Sequence, residues 1–248
     1  MSSCVHVGCC GWSYLNEKEF HELYNSGRRH SKLQAYAKLF DTVEINSTFY
    51  KLPRLSTAEK WRKEVDEINP GFEFSVKAYK GITHLHRFQK KESVDSYRAL
   101  KDICGALSAR VILFQSPASF NPSQANIETI GEFFYKIDRK GIVPVWEARG
   151  KWYDDIGLIE KVCHGSKLVH CVDPFRNDPV AFGKEKIAYF RLHGFGKPTM
   201  YHYSFSADEL RLLSKKISSL PDELEDIYVL FNNDSCYANA LAFKNVDG

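Results

Sequence analysis

Carboxylates, cations and histidines recur at matching places in successive segments of this 248-residue chain: Glu44 in VEINSTFYKLP, Lys77 and His84 in FEFSVKAYKGITH, Glu147 and Arg149 in WEARGKWY, Asp173 in VDP, and Arg191 with His193 in YFRLHG. Each type suggests a task. Guanidinium groups recognise phosphate or carboxylate through paired hydrogen bonds, so two arginines and a lysine in one cavity would suit a small anionic or phosphorylated ligand. Imidazoles exchange protons near neutral pH, which makes His193 and His84 acid/base candidates, with Glu44 or Glu147 as base or orienting partner. Lys77 could form an imine if nearby Arg149 or Arg191 lowered its pKa, whereas pairing with Glu44 or Glu147 would raise it, so imine chemistry ranks below proton transfer. The expected catalytic set is Glu44, Lys77, Glu147, Asp173 and His193. Asn46, Tyr50, His84, Gln115, Arg149, Trp152, Arg191, Asn232 and Asn233 are expected to bind the substrate.

Such a set works only if the chain folds it together. Eight β-like runs can be picked out: 4–9, 42–46, 72–77, 111–115, 143–147, 168–173, 187–193 and 226–232. Amphipathic segments separate most of them, and Ser31-x-x-Gln34, Ser56-x-x-Glu59 and Ser206-x-x-Glu209 match the capping box that opens a helix. The stretch from Pro174 to Gly183 is short and holds two prolines, so the sixth unit is expected to lack a regular helix. With no linker or composition break, this order predicts one α/β domain over residues 1–248, a (β/α)8 TIM barrel. Side chains alternate between the two faces of a strand, and the parity is consistent. Val43 and Ile45 would face helices while Glu44 and Asn46 face inward. Ser75 with Lys77, Glu147 with Arg149, Asp173, Arg191 with His193, and Asn232 take the inward side of their own strands. Six strands thus end in inward polar groups, and Gln115 adds a seventh. The carboxyl ends of barrel strands are where this fold places its active sites. The HGFGK stretch after the seventh strand and the Asn233-Asp234-Ser235 turn after the eighth lie where barrels often bind phosphate.

The motifs GCCGWSY, VEINSTFYKLP, FEFSVKAYKGITH, FQSP, WEARGKWY, VDP, YFRLHG and FNND, in this order over nearly the whole chain, resemble the DUF72 (YecE-like) family. The resemblance implies a TIM barrel distantly similar to the endonuclease IV and xylose isomerase groups, and implies no established reaction. One departure lies in the first strand, where family members often carry G-x-S-G-W and this chain has Gly8-Cys9-Cys10-Gly11-Trp12.

Composition sets the bounds. Hydrophobic residues make up 44% of the chain and the formal charge is +3, which is globular and only mildly basic. The first residues lack a basic start followed by a long apolar run, and no run of about eighteen apolar residues occurs, so a soluble cytoplasmic protein without membrane contact is expected. Seven cysteines lack a C-x-x-C pair or zinc-like spacing, and reduced thiols are expected. No cofactor is expected. No metal is expected at the strand ends, because histidines there are few and the arginines already supply positive charge. Three other readings stay open. The inward charges could form an internal ion-pair network and nothing more. Loop aromatics, including Trp12, Tyr14, Tyr50, Trp152, Tyr153, Tyr201 and Tyr203, could stack on nucleic-acid bases while Arg28, Arg29, Lys32, Lys90 and Lys91 meet phosphates, in the manner of an endonuclease IV-like protein. The barrel could also be a non-catalytic interaction scaffold. Oligomeric state is not legible.

Overall fold

The computed structural model describes residues 3–25 and 29–246; Arg28 lies outside them. Eight parallel strands close into one barrel in chain order: β1 (Cys4–Cys9), β2 (Thr42–Ile45), β3 (Glu73–Lys77), β4 (Val111–Gln115), β5 (Val143–Glu147), β6 (Val169–Val172), β7 (Ile187–Leu192) and β8 (Asp226–Phe231). The seam pairs β1 with β8 from Cys4↔Asp226 to Cys9↔Phe231. Every strand end lies within one residue of the sequence reading, and the four differences at carboxyl ends share a cause. Asn46, Asp173, His193 and Asn232 each follow directly after the last residue of a strand, where the chain is already turning into a mouth loop.

Around the barrel run α1 (His21–Asn25), α2 (Lys32–Ala37), α3 (Leu55–Asp66), α4 (Lys90–Leu107), α5 (Gln124–Lys136), α6 (Ile156–Ser166), α7 (Ala207–Ser218) and α8 (Cys236–Lys244). The boxes at Ser31 and Ser206 form as expected, each hydroxyl accepting from the third helical amide while Gln34 or Glu209 reaches back. The one expected at Ser56 does not. Helix α3 already begins at Leu55 behind an extended Arg54, so Ser56 has helical backbone and cannot cap. Strand β6 passes to β7 without a helix, as the two prolines predict; a turn on Asp173 and a bridge from Phe182 back to Val169 replace it.

The core divides into two layers. Outward strand residues such as Val43, Ile45, Phe74, Phe114 and Phe231 pack beneath the helices, and a smaller inner cluster fills the barrel with Leu113, Val145, Cys171, Tyr189, Tyr228 and Leu230 among others. Gly8 faces β2 so closely that a Cβ there would lie 2.1 Å from the Thr42 carbonyl oxygen. Cys9, next along β1, pairs in register with Val43 of β2 and packs in the outer layer, while Cys10 lies against the inner cluster.

Candidate active site

The centre of the mouth is Arg191, whose side chain is 1% exposed. Its Nη2 donates to Glu44 Oε1 at 2.9 Å and its Nη1 to Glu147 Oε2 at 2.6 Å, so one guanidinium joins β2, β5 and β7 across the barrel. The other carboxylate oxygens are used as well. Tyr189 donates its hydroxyl to Glu44 Oε2 at 3.0 Å. A phenol has one proton, so the 2.8 Å contact between Ser75 and Tyr189 has Ser75 as donor. Glu147 Oε1 accepts from Gln115 at 3.0 Å and is paired with Arg149. Burial works against charge on Glu147, but Arg191 and Arg149, helped by His193 and Gln115, outweigh it and hold the carboxyl well below the usual range. Glu147 is therefore a fixed anion, not a proton carrier.

His193 is held from both sides. Its Nε2 lies 3.1 Å from Arg149 Nη2 and 3.5 Å from Arg191 Nη1, and its Nδ1 lies 3.5 Å from Asp173 Oδ2. A guanidinium can only donate, so Nε2 is the acceptor and the ring proton sits on Nδ1, facing Asp173. Burial lowers the His193 pKa despite Asp173, and the two arginines lower it further, so the ring is neutral at physiological pH. Asp173 is itself fixed: Oδ2 accepts the His193 backbone N–H at 3.0 Å, Oδ1 accepts that of Phe175 at 3.1 Å, and Arg176 stands 3.7 Å away.

Lys77 differs from every other charge here. Its ammonium lies 4.5 Å from the centre of the Phe49 ring, and among the described residues no carboxylate forms an ion pair with it. Phe49 is placed by the 3-10 turn Ser47–Phe49, which Thr48 anchors through contacts of 2.6 Å to the Ile45 carbonyl and 2.7 Å to that of Lys77. Burial, then Arg191, lower the Lys77 pKa to about 8, because Glu44 and Glu147 are committed elsewhere and compensate only in part. His84 packs edge-on to the same Phe49 ring at 4.8 Å and accepts or donates with Thr83 at 2.8 Å; burial and then Lys77 lower its pKa too.

Half-exposed Asn46, His84, Gln115, Arg149 and Asn232 surround the opening, with exposed Tyr50 at the rim. The buried Oδ1 of Asn46 has no partner. Three expected positions differ. Trp152 is fully buried, donates its ring N–H to the Phe120 carbonyl at 2.5 Å and packs edge-on to Trp146; it belongs to the core beneath the helices and cannot line the opening. Arg191 is fully buried with both Nη groups spent on Glu44 and Glu147, whereas Arg149 is half-exposed. Asn233 is buried and donates to the Tyr203 carbonyl and to Asn239 at 2.8 Å each, pinning the loop after β7 to α8. Tyr189, Phe49 and Arg176 were missed, and Ser75 was read as inward but given no role. Tyr189 had a signal, since it shares inward parity with Arg191 and His193. Cys10 also enters the mouth, where burial and then Glu44 push its thiol well up, so it is a poor nucleophile.

A closed ring of eight parallel strands, helices outside and charged groups collected at the carboxyl ends, defines a TIM barrel with a polar mouth. Residues 6–246 match the family described as "Protein of unknown function DUF72". UPF0759 protein YunF of Bacillus subtilis (strain 168) is 25% identical over 259 residues, covering 93% of this chain and 89% of YunF. A DUF72 family crystal structure from Enterococcus faecalis V583 superposes with a TM-score of 0.74 at 20% identity, covering 98% of this chain and 94% of that one. Another, from Thermotoga maritima MSB8, gives 0.70 at 24% identity, covering 97% and 98%. The chain belongs to the DUF72 family. Among the described residues no helix is long and apolar enough to cross a membrane.

Proposed function

We propose that the mouth is the active site of an enzyme that carries out acid/base chemistry on a small anionic or phosphorylated substrate. The observation that carries this reading is Lys77, a buried ammonium left without a carboxylate in a site where Glu44 and Glu147 are both committed to arginines. Among the described residues Lys77, Arg149, Arg176 and Arg191 face only Glu44, Glu147 and Asp173, so an anion would balance the mouth. Lys77 and the partly exposed Arg149 receive that anion, and Arg191 with its two glutamates positions them. When the anion draws Arg149 toward itself, Nε2 of His193 loses its nearer donor and keeps only the 3.5 Å contact with Arg191, so it can take a proton while Asp173 stabilises the imidazolium that results. Asn46 and Asn232 supply amide groups at the edge for orientation.

A thermal-shift screen with inorganic phosphate, sulfate, sugar phosphates and short single-stranded DNA tests the reading, repeated on Lys77→Met, since a ligand that binds only the native state raises the melting temperature. A shift from small anions that the variant loses is expected. A second reading rests on the exposed Tyr14, Tyr50, Phe195 and Tyr201 in the loops after β1, β2 and β7, which could stack on bases. It predicts shifts only with the oligonucleotide, declining steeply with salt.

A further inference from the structure

At the opposite end of the barrel, the seam between the first and last strands brings three metal-type ligands together. Cys4 pairs in register with Asp226, and His6, two residues along β1, points to the same inner face as Cys4. One ligand atom from each, the Cys4 Sγ, a His6 ring nitrogen and an Asp226 carboxylate oxygen, lie within 4.8 Å of one another, and His6 Nε2 is 2.7 Å from Asp226 Oδ1. We propose that Cys4, His6 and Asp226 form a site for a thiophilic divalent transition metal of the zinc class, which clasps the barrel seam.

The donor set is sulfur, nitrogen and oxygen, as zinc-class ions take, and the exposure of Cys4 leaves a fourth position to water. On binding, the Cys4 thiol would release its proton to solvent, and the thiolate, with Asp226 and a neutral imidazole, would offset the charge of a divalent ion. Opening His6 Nε2 and Asp226 Oδ1 from hydrogen-bond distance to about 3.3 Å, the span for tetrahedral bonds of about 2.0 Å, is a side-chain adjustment. Supporting groups are already in place. Arg110 donates to Asp226 Oδ2 at 2.5 Å, leaving Oδ1 for the ion, and Tyr228 stacks on the His6 ring at 4.7 Å with a 17° tilt. Tyr228 is in turn fixed by Glu73 and by Arg110 at 3.2 Å.

The test uses the full chain, reduced and stripped of metal, titrated with Co2+. A thiolate-to-cobalt charge-transfer band with the visible bands of a four-coordinate ion is expected, displaced by Zn2+, absent in Cys4→Ser, and weakened on the order of tenfold or more in His6→Gln. No such band, or a band that survives Cys4→Ser, overturns the site, the latter by assigning it to another thiol. Alkylation of wild-type Cys4, read by peptide mass spectrometry, keeps the proposal falsifiable if a variant fails to fold: Zn2+ but not Mg2+ must protect this exposed thiol, and equal labelling with and without Zn2+ overturns it.

Discussion

The two ends of the barrel hold similar residue types in opposite arrangements. At the mouth a buried arginine lies between two glutamates, and a second cation, Lys77, is left over. At the floor, Asp226 lies between Arg110 and His6, both partly reachable by water, and the unsatisfied character belongs to the Cys4 thiol and its acidic neighbours. On the two readings proposed above, the mouth is short of an anion and the floor of a cation. Burial sets the energetic contrast, because a charge pair out of water is costly to break, whereas a solvated pair contributes little.

That contrast is broken most severely at Arg191. Arg191→Leu leaves Glu44 buried without a cation and Glu147 with Arg149 alone, and urea unfolding should show a loss of about 3–5 kcal/mol. Arg110→Leu at the floor, where Arg110 is 39% exposed and Asp226 keeps His6 as a partner, should lose less, about 1–2 kcal/mol. Equal losses would end the comparison.

His193→Gln should preserve folding and anion binding while reducing turnover of any substrate found in the screen by about 10²–10⁴-fold, the usual contribution of a general base. A variant that lost binding and turnover in parallel would instead make His193 a ligand contact.

Lys77 sharpens the comparison through pH. Its pKa is lowered from 10.5 to about 8, so between those values the unfolded chain binds more protons than the folded one, and stability from this group rises as pH increases through that window. The cost is fully present below about 8. Lys77→Met should therefore equal or exceed the wild type in stability at pH 7, by about 1–3 kcal/mol, with the gap shrinking toward pH 10. Urea midpoints across pH measure it; a Met variant that is clearly less stable at pH 7 would reveal a partner for the ammonium.

The smallest effect is expected at the rim. Tyr50 is 67% exposed, and Tyr50→Ala should leave stability within about 0.5 kcal/mol while weakening a small anion only a few-fold. A large loss confined to oligonucleotides would favour the base-stacking reading.

Strand parity made much of the mouth legible in the sequence. Glu44, Lys77, Glu147, Arg191 and His193 alternate with apolar residues of period two, and a buried face cannot tolerate a slip of one residue. Ser31 and Ser206 were equally readable, because a capping box is local. Trp152 was not, since it lies in a short 3-10 turn with no periodicity to say which way a ring points. Nor could the sequence tell which cation would be left without a carboxylate; that depends on distances across four strands. The floor trio was hidden for the same reason, with Cys4 and His6 separated from Asp226 by most of the chain and joined only when the barrel closes.

The most direct test of the central claim is calorimetric titration of sulfate, which does not titrate in this range, into wild type and Lys77→Met at pH 7 and pH 9. Wild type should bind at pH 7 and weaken by up to about tenfold per unit as pH rises above about 8, and the Met variant should bind at neither pH while remaining folded. Sulfate binding that is unchanged in Lys77→Met, or flat across pH in the wild type, would contradict the account.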